Sequence, residues 1–161
     1  MTKSKRLPKL GDDNIPLITS YRLLGVAFQL NAKTLLKTLE TKADGTPAKY
    51  TAIPFIYLVS HAAELYLKAA LLKRGYTEGD LKKFGLRHDL KALLLALRAK
   101  GVSFSPETVS LLNGLHAQHH SHALRYTVFM QGQRTFMPPL TSTLEMLDEL
   151  MMLTRISTQG V

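Results

Sequence analysis

The stretch FIYLVSHAAELYLKAALLKRG, residues 55–75, decides the fold. Phe55, Leu58, Ala62, Leu65, Ala69 and Leu72 recur at alternating steps of three and four, one heptad stripe along a single helix face. Gly75 follows Lys73 and Arg74 as a helix C-cap. Upstream, the turn-forming run Lys42-Ala43-Asp44-Gly45-Thr46-Pro47 closes an earlier helical pattern. That pattern opens at Pro16 and Thr19 and carries Tyr21, Leu24, Phe28, Ala32, Leu35 and Leu39 on one face.

Downstream, a short helical turn is predicted over Asp80 to Phe84, and Asp89 is placed to cap a helix bearing Leu90, Leu93, Leu94 and Leu97, closed by Gly101. Ser105-Pro106 reads as N-cap plus first-turn proline of a helix through Val109, Leu112 and Leu115 to about Tyr126. A loop over 127–139 follows, with Gly132 and Pro138-Pro139. Ser142 with Glu145 then reads as the capping box of a last helix carrying Leu144, Leu147, Met151 and Thr154. No segment alternates with period two. The reading is all-α, an up-and-down bundle of four to five helices spanning 15–161, preceded by a basic flexible tail over 1–14.

Composition agrees with a globular chain: 161 residues, 45% hydrophobic and 20% charged. There is no cysteine, which suits a reducing cytoplasm and removes disulfide staples and thiolate metal sites. Gly11-Asp12-Asp13-Asn14 stands where a secretory signal would need an apolar run. The most apolar stretch, from Ile53 onward, is broken by His61, Glu64 and Lys68, so a cytoplasmic protein off the membrane is expected. The net charge is +9, and Lys3, Lys5, Arg6 and Lys9 supply four of the positive charges. A basic excess of this kind attracts phosphate-bearing partners, and equally serves solubility.

Polar residues interrupt the apolar pattern in two places. Tyr57, His61, Glu64 and Lys68 form one polar line beside the core stripe, with Glu64 and Lys68 as i,i+4 partners in the favourable order. They are either a solvated ion pair or a desolvated group at a helix–helix seam, able to orient a phosphate. Later, His116, His119, His120 and His122 precede Arg125 and Tyr126. His116 and His120 share a face at metal-ligand spacing, but Ala117 replaces the glutamate of a metalloprotease helix and no third ligand is evident. No metal and no cofactor is expected. Nucleotide-loop and serine-elbow motifs are absent from the sequence. Glu145, Asp148 and Glu149 read as a solvated face, and Met130, Met137, Met146, Met151 and Met152 as core filler or an adaptable interface.

Three pieces together resemble a family. HAAELYLKAALLKRG (His61 to Gly75), RHDLKALLLAL (Arg87 to Leu97) and LRY (Leu124 to Tyr126) stand in the order of HEPN domains. Those domains are named for nucleotide binding in higher eukaryotes and prokaryotes. The resemblance covers about residues 55–126 and implies a four- or five-helix bundle, a homodimer and a role in RNA or nucleotide metabolism. Members often sit in toxin–antitoxin or defence systems beside a small nucleotidyltransferase partner. By resemblance, Glu64, Lys68, His88, Asp89, Arg125 and Tyr126 would form a shared polar constellation: Lys68, His88, Arg125 and Tyr126, joined by His61 of the polar line, are expected to bind nucleotide or RNA phosphates, with Glu64 and Asp89 holding a structural polar network. Ribonuclease members carry arginine followed four to six residues later by histidine. Here Arg87 and His88 are adjacent and the late histidines precede Arg125, so the non-nuclease branch is expected. The rival readings are a metal-independent ribonuclease using His119, His120 or His122 with Arg125, and a helical interaction module that binds no nucleotide.

Overall fold

The computed structural model describes residues 14–40, 43, 49–83, 85–120 and 138–156, the side chains of 49–51 and 118–120 excepted. All regular structure among them is helical: α1 Ile15–Leu36, α2 Lys49–Leu72, α3 Glu78–Lys82, α4 Leu90–Ala99, α5 Pro106–His120 and α6 Leu140–Leu153. The chain is an all-α bundle organised around α2, which packs against α1, α4, α5 and α6.

Helix α2 earns that position through its side chains. Phe55, Ile56, Val59, Ala62, Ala63, Tyr66, Leu67, Ala69, Ala70, Leu71 and Leu72 are all fully buried. Its apolar surface is therefore wider than the expected heptad stripe, of which Leu58 and Leu65 are only half-buried. A helix apolar nearly all round belongs at the centre of a fold. Ala52–Leu72 is long and apolar enough to cross a membrane, but 78% of that window is buried inside the protein, so it serves as a core helix. Each fully buried Leu, Ile or Phe contributes about 1.5–3 kcal/mol. The helix begins at Lys49, ahead of the stripe, and accommodates Pro54 within it.

The stripe expected over this first helix faces the core except at Leu24: Ala32 is buried, and Tyr21, Phe28, Leu35 and Leu39 pack against the core. Ile18, Gly25, Gln29 and Ala32 are its buried positions, whereas Leu24 points outward. Gly25 is required by contact: a Cβ there would stand 2.7 Å from Cε1 of Tyr66. Tyr66 in turn donates a hydrogen bond to Gln29 Oε1 (2.6 Å), and Gln29 Nε2 donates to Asp148 Oδ1 of α6 (2.6 Å). Three helices are thereby pinned by one polar chain, buried at Tyr66 and Gln29 and half exposed at Asp148.

Local chemistry sets the helix ends. Both glycine stops close as paired bonds around a left-handed residue, at Gly75 (φ 87) and Gly101 (φ 80). Tyr76 N–H bonds to Leu71 O and Val102 N–H to Leu97 O, while each glycine N–H takes a carbonyl inside that loop. Asp89 caps α4 by accepting from Ala92 N–H at 2.8 Å, and Ser105 caps α5 by accepting from Thr108 N–H at 3.1 Å. Helix α3 spans Glu78–Lys82 rather than Asp80 to Phe84, because Thr77 and Asp80 form a capping box that starts it earlier.

The expected capping box at Ser142 and Glu145 does not form. Helix α6 starts at Leu140 behind Pro139, so Ser142 already lies in its first turn, and no side chain caps it. Of its acids, Glu145 and Asp148 are exposed as expected and Glu149 is half-buried, but two of them also tie helices together. Asp148 accepts from Gln29, and Glu149 accepts from Ser105 N–H (3.0 Å), Ser105 Oγ (2.7 Å) and Thr108 Oγ1 (2.6 Å), tying α6 to the start of α5. Met146 is buried, Met151 packs at the core edge and Met152 is exposed; Met130 and Met137 lie outside the described residues.

Candidate functional site

The polar line on α2 is not a surface pair. Lys68 Nζ lies 2.6 Å from Glu64 Oε1, with side-chain exposures of 9% and 5%. Burial of this kind is costly unless charges are paired, so the two side chains depend on each other. The i,i+4 spacing on α2 sets the pair, and α2's place at the centre removes it from water.

A third group reaches the same oxygen. His88 Nδ1 lies 3.1 Å from Glu64 Oε1, delivered by the segment that leads into α4. His88 keeps 32% of its side chain in solvent, so the constellation opens outward there. Its neighbour Asp89 is bound twice over: it caps α4, and His116 Nδ1 of α5 lies 3.2 Å from its Oδ1. Two acid–histidine contacts, Glu64 with His88 and Asp89 with His116, thus sit on adjacent residues of one segment. Together they join α2, the start of α4 and α5.

Tyr21 has its hydroxyl pushed above the usual 10.0, first by burial and then by the negative charge of Glu78, Lys82 opposing, with Glu64 adding to the rise. One turn before Glu64, His61 stacks on Phe28 of α1 (ring centroids 5.4 Å apart) and meets Tyr57 edge-on at 4.4 Å. His61 is thus part of an aromatic cluster between α1 and α2.

Of the residues singled out by sequence, Glu64, Lys68 and His88 converge, with Asp89 and His116 alongside. Arg125, Tyr126 and His122 lie outside the described residues, as do the side chains of His119 and His120. Among the described residues no group of three or more His, Asp or Glu is placed to hold a metal ion, and His116 faces Asp89. Sequence reasoning did not foresee that His116 of α5 faces Asp89, a contact between separate helices that no spacing rule gives. A small cleft elsewhere, lined by Ser105, Glu107, Thr108, Ser142, Glu145, Met146 and Glu149, is acidic and disfavours phosphate.

Chemically, the site offers an ammonium with three N–H donors, of which one is directed to Glu64. Low local dielectric strengthens whatever the remaining donors meet. His88 adds a ring nitrogen that can donate or accept a hydrogen bond. Compared with known proteins, the chain matches no family model, no curated protein and no solved structure.

Proposed function

We propose that the chain is a HEPN-like, non-catalytic helical module that binds the phosphates of a nucleotide or RNA. In this reading it acts in the cytoplasm, within a toxin–antitoxin or defence system and beside a small nucleotidyltransferase partner. One observation carries the reading: Lys68 and His88, from two of the three resembling segments, meet at a single buried carboxylate oxygen. The net charge of +9 supports it by drawing polyanions toward the molecule. In this reading Lys68 and Arg125 neutralise phosphate, His88 gives a hydrogen bond, and Tyr126 stacks or donates its hydroxyl. Glu64 and Asp89 hold the cations in place.

Fluorescence anisotropy with a labelled single-stranded RNA, and ATP as competitor, tests this. The native chain is expected to bind, and Arg125→Ala to weaken binding tenfold or more without lowering the melting temperature. The paired change Glu64→Gln with Lys68→Met removes the ammonium without stranding a buried charge, and is expected to weaken binding as much. Unchanged affinity in both variants overturns the proposal. Cleavage of RNA in the presence of chelator, lost on His120→Ala, would transfer the assignment to a ribonuclease. A stable complex with another protein and no affinity for RNA or ATP would transfer it to an interaction module.

A further inference from the structure

Every exposed side chain of α1 is uncharged, and Leu23, Leu24 and Leu30 are 59%, 53% and 57% exposed. Ile15 and Ala27 continue that apolar surface along the rod, a length of about 30 Å. Single exposed leucines are ordinary, but a continuous uncharged strip of this length marks an interaction surface. The strip belongs to a single helix, so it is a convex ridge rather than a groove.

The unbalanced charge around the ridge is positive. No acidic residue occurs between Asp13 and Glu40, and the cations of that segment are Arg22, Lys33 and Lys37. Lys37 is exposed directly after α1. At the other end Asn14 Nδ2 donates to Tyr76 O (3.5 Å), and exposed Lys100 lies over the Tyr76 ring, 5.4 Å from its centroid. Of the carboxylates beside α1 among the described residues, Asp148 pairs with Lys33 (3.5 Å), Glu78 with Lys82 (2.9 Å) and Glu64 with Lys68 (2.6 Å). The sequence adds Lys3, Lys5, Arg6 and Lys9 shortly ahead of Ile15.

We propose that α1 lies against an anionic phospholipid surface, its leucines among the upper acyl chains and its flanking cations among the headgroup phosphates. Charge selects this partner, because cations at both ends of an uncharged ridge are drawn to a negative plane. Shape agrees: a lipid surface yields to a ridge, whereas a partner helix is received by a groove. The polar side chains of the ridge tolerate the move. Thr19 Oγ1 donates to Ile15 O (2.9 Å), Asn31 Nδ2 to Ala27 O (2.8 Å) and Thr34 Oγ1 to Leu30 O (3.0 Å), so these donors enter the interface already satisfied. Ser20 forms no such bond among the described residues and takes its partner from the hydrated headgroups. The helix lies along the bilayer rather than through it, since Ile18, Gly25, Gln29 and Ala32 stay buried in the fold. A peripheral contact of this kind needs no spanning segment, so the polar breaks in α2 do not oppose it. Neither a few leucines nor a few cations hold a protein on a membrane alone; together they give reversible attachment. The inference does not rest on phosphate binding at Lys68.

Co-sedimentation of the full chain with vesicles of one part phosphatidylglycerol to two parts phosphatidylcholine tests it. The native chain is expected to pellet with these vesicles, to stay in solution with pure phosphatidylcholine, and to come off as salt rises from roughly 0.1 to 0.5 M. Leu23→Gln with Leu30→Gln is expected to weaken vesicle binding tenfold or more with an unchanged far-ultraviolet circular dichroism spectrum. Leu95→Gln, at an exposed leucine on α4, is expected to leave binding intact. Because the chain has no cysteine, Ala27→Cys can carry a single environment-sensitive dye. Its emission is expected to shift to the blue on the anionic vesicles, while the same dye on Leu95→Cys does not respond. A native chain that ignores anionic vesicles, or binding that survives the double glutamine variant, overturns the proposal. Self-association through the same leucines without vesicle binding also overturns it and gives the ridge to a second copy. RNA affinity of the double variant, expected to be unchanged, separates this outcome from failure of the phosphate site.

Discussion

Lys68 holds its ammonium 2.6 Å from the Glu64 carboxylate, with less than a tenth of either side chain in water. Such a pair is fragile to single changes and tolerant of paired ones. Lys68→Met alone leaves a buried carboxylate without its ammonium partner and is expected to cost about 3–5 kcal/mol in urea unfolding. Glu64→Gln added to it should recover most of that loss, since the amide still accepts from His88. Equal losses in the single and double variants would show that the lysine's alkyl packing, rather than its charge, is what matters.

Gly25 and Gly79 are expected to respond to alanine with opposite signs. In a helix interior, alanine normally gains about 1 kcal/mol over glycine. At position 25 the new Cβ would meet the Tyr66 ring at 2.7 Å, so Gly25→Ala should lose about 1–3 kcal/mol. At position 79 the nearest atom is Thr77 Oγ1 at 3.6 Å, and Gly79→Ala should raise the melting temperature. Calorimetric melts of the two variants provide the check.

Tyr66 makes alkaline stability depend on one phenol. Burial, then the charge of Asp148, with Arg22 opposing, push its hydroxyl from 10.0 up to about 12. The folded state therefore favours the neutral phenol. Its stabilisation is complete below pH 10 and is lost as pH rises from 10 toward 12. Tyr66→Phe should flatten that limb while losing about 1–2 kcal/mol at neutral pH from the unpaired Gln29 oxygen. Tyr21 titrates in the same direction and will leave a residual slope.

Glu149 acts at the other end of the scale. Burial pulls its carboxyl upward, but hydrogen bonds from Thr108 Oγ1, Ser105 N–H and Ser105 Oγ outweigh this and set it below 4.5. Its contribution is full above pH 4.5 and fades as pH falls through the lowered value. Glu149→Gln should therefore flatten the acid limb of a stability profile and cost about 1–3 kcal/mol near neutrality. A variant with an unchanged acid limb would place the acid transition elsewhere in the molecule.

What could be read from the sequence was what neighbouring residues decide among themselves. The stops at Gly75 and Gly101 and the caps at Asp89 and Ser105 need only a few residues each, and all four form. The stripe of α1 faces the core except at Leu24, but two of its most buried positions are Gly25 and Gln29, which look like neither core nor seam until Tyr66 is packed against them. At the site, the Glu64–Lys68 spacing was visible, but its burial and the arrival of His88 depend on where α4 begins in space. Arg125, the other cation of the expected constellation, lies outside the described residues.

Because α2 touches four other helices, its amides cannot open without the whole domain letting go. Hydrogen exchange along the half of that rod bearing Lys68 should proceed only through global unfolding. Any anion held there would thus be seen as slower deuterium uptake throughout the molecule, a readout that needs no label on the anion.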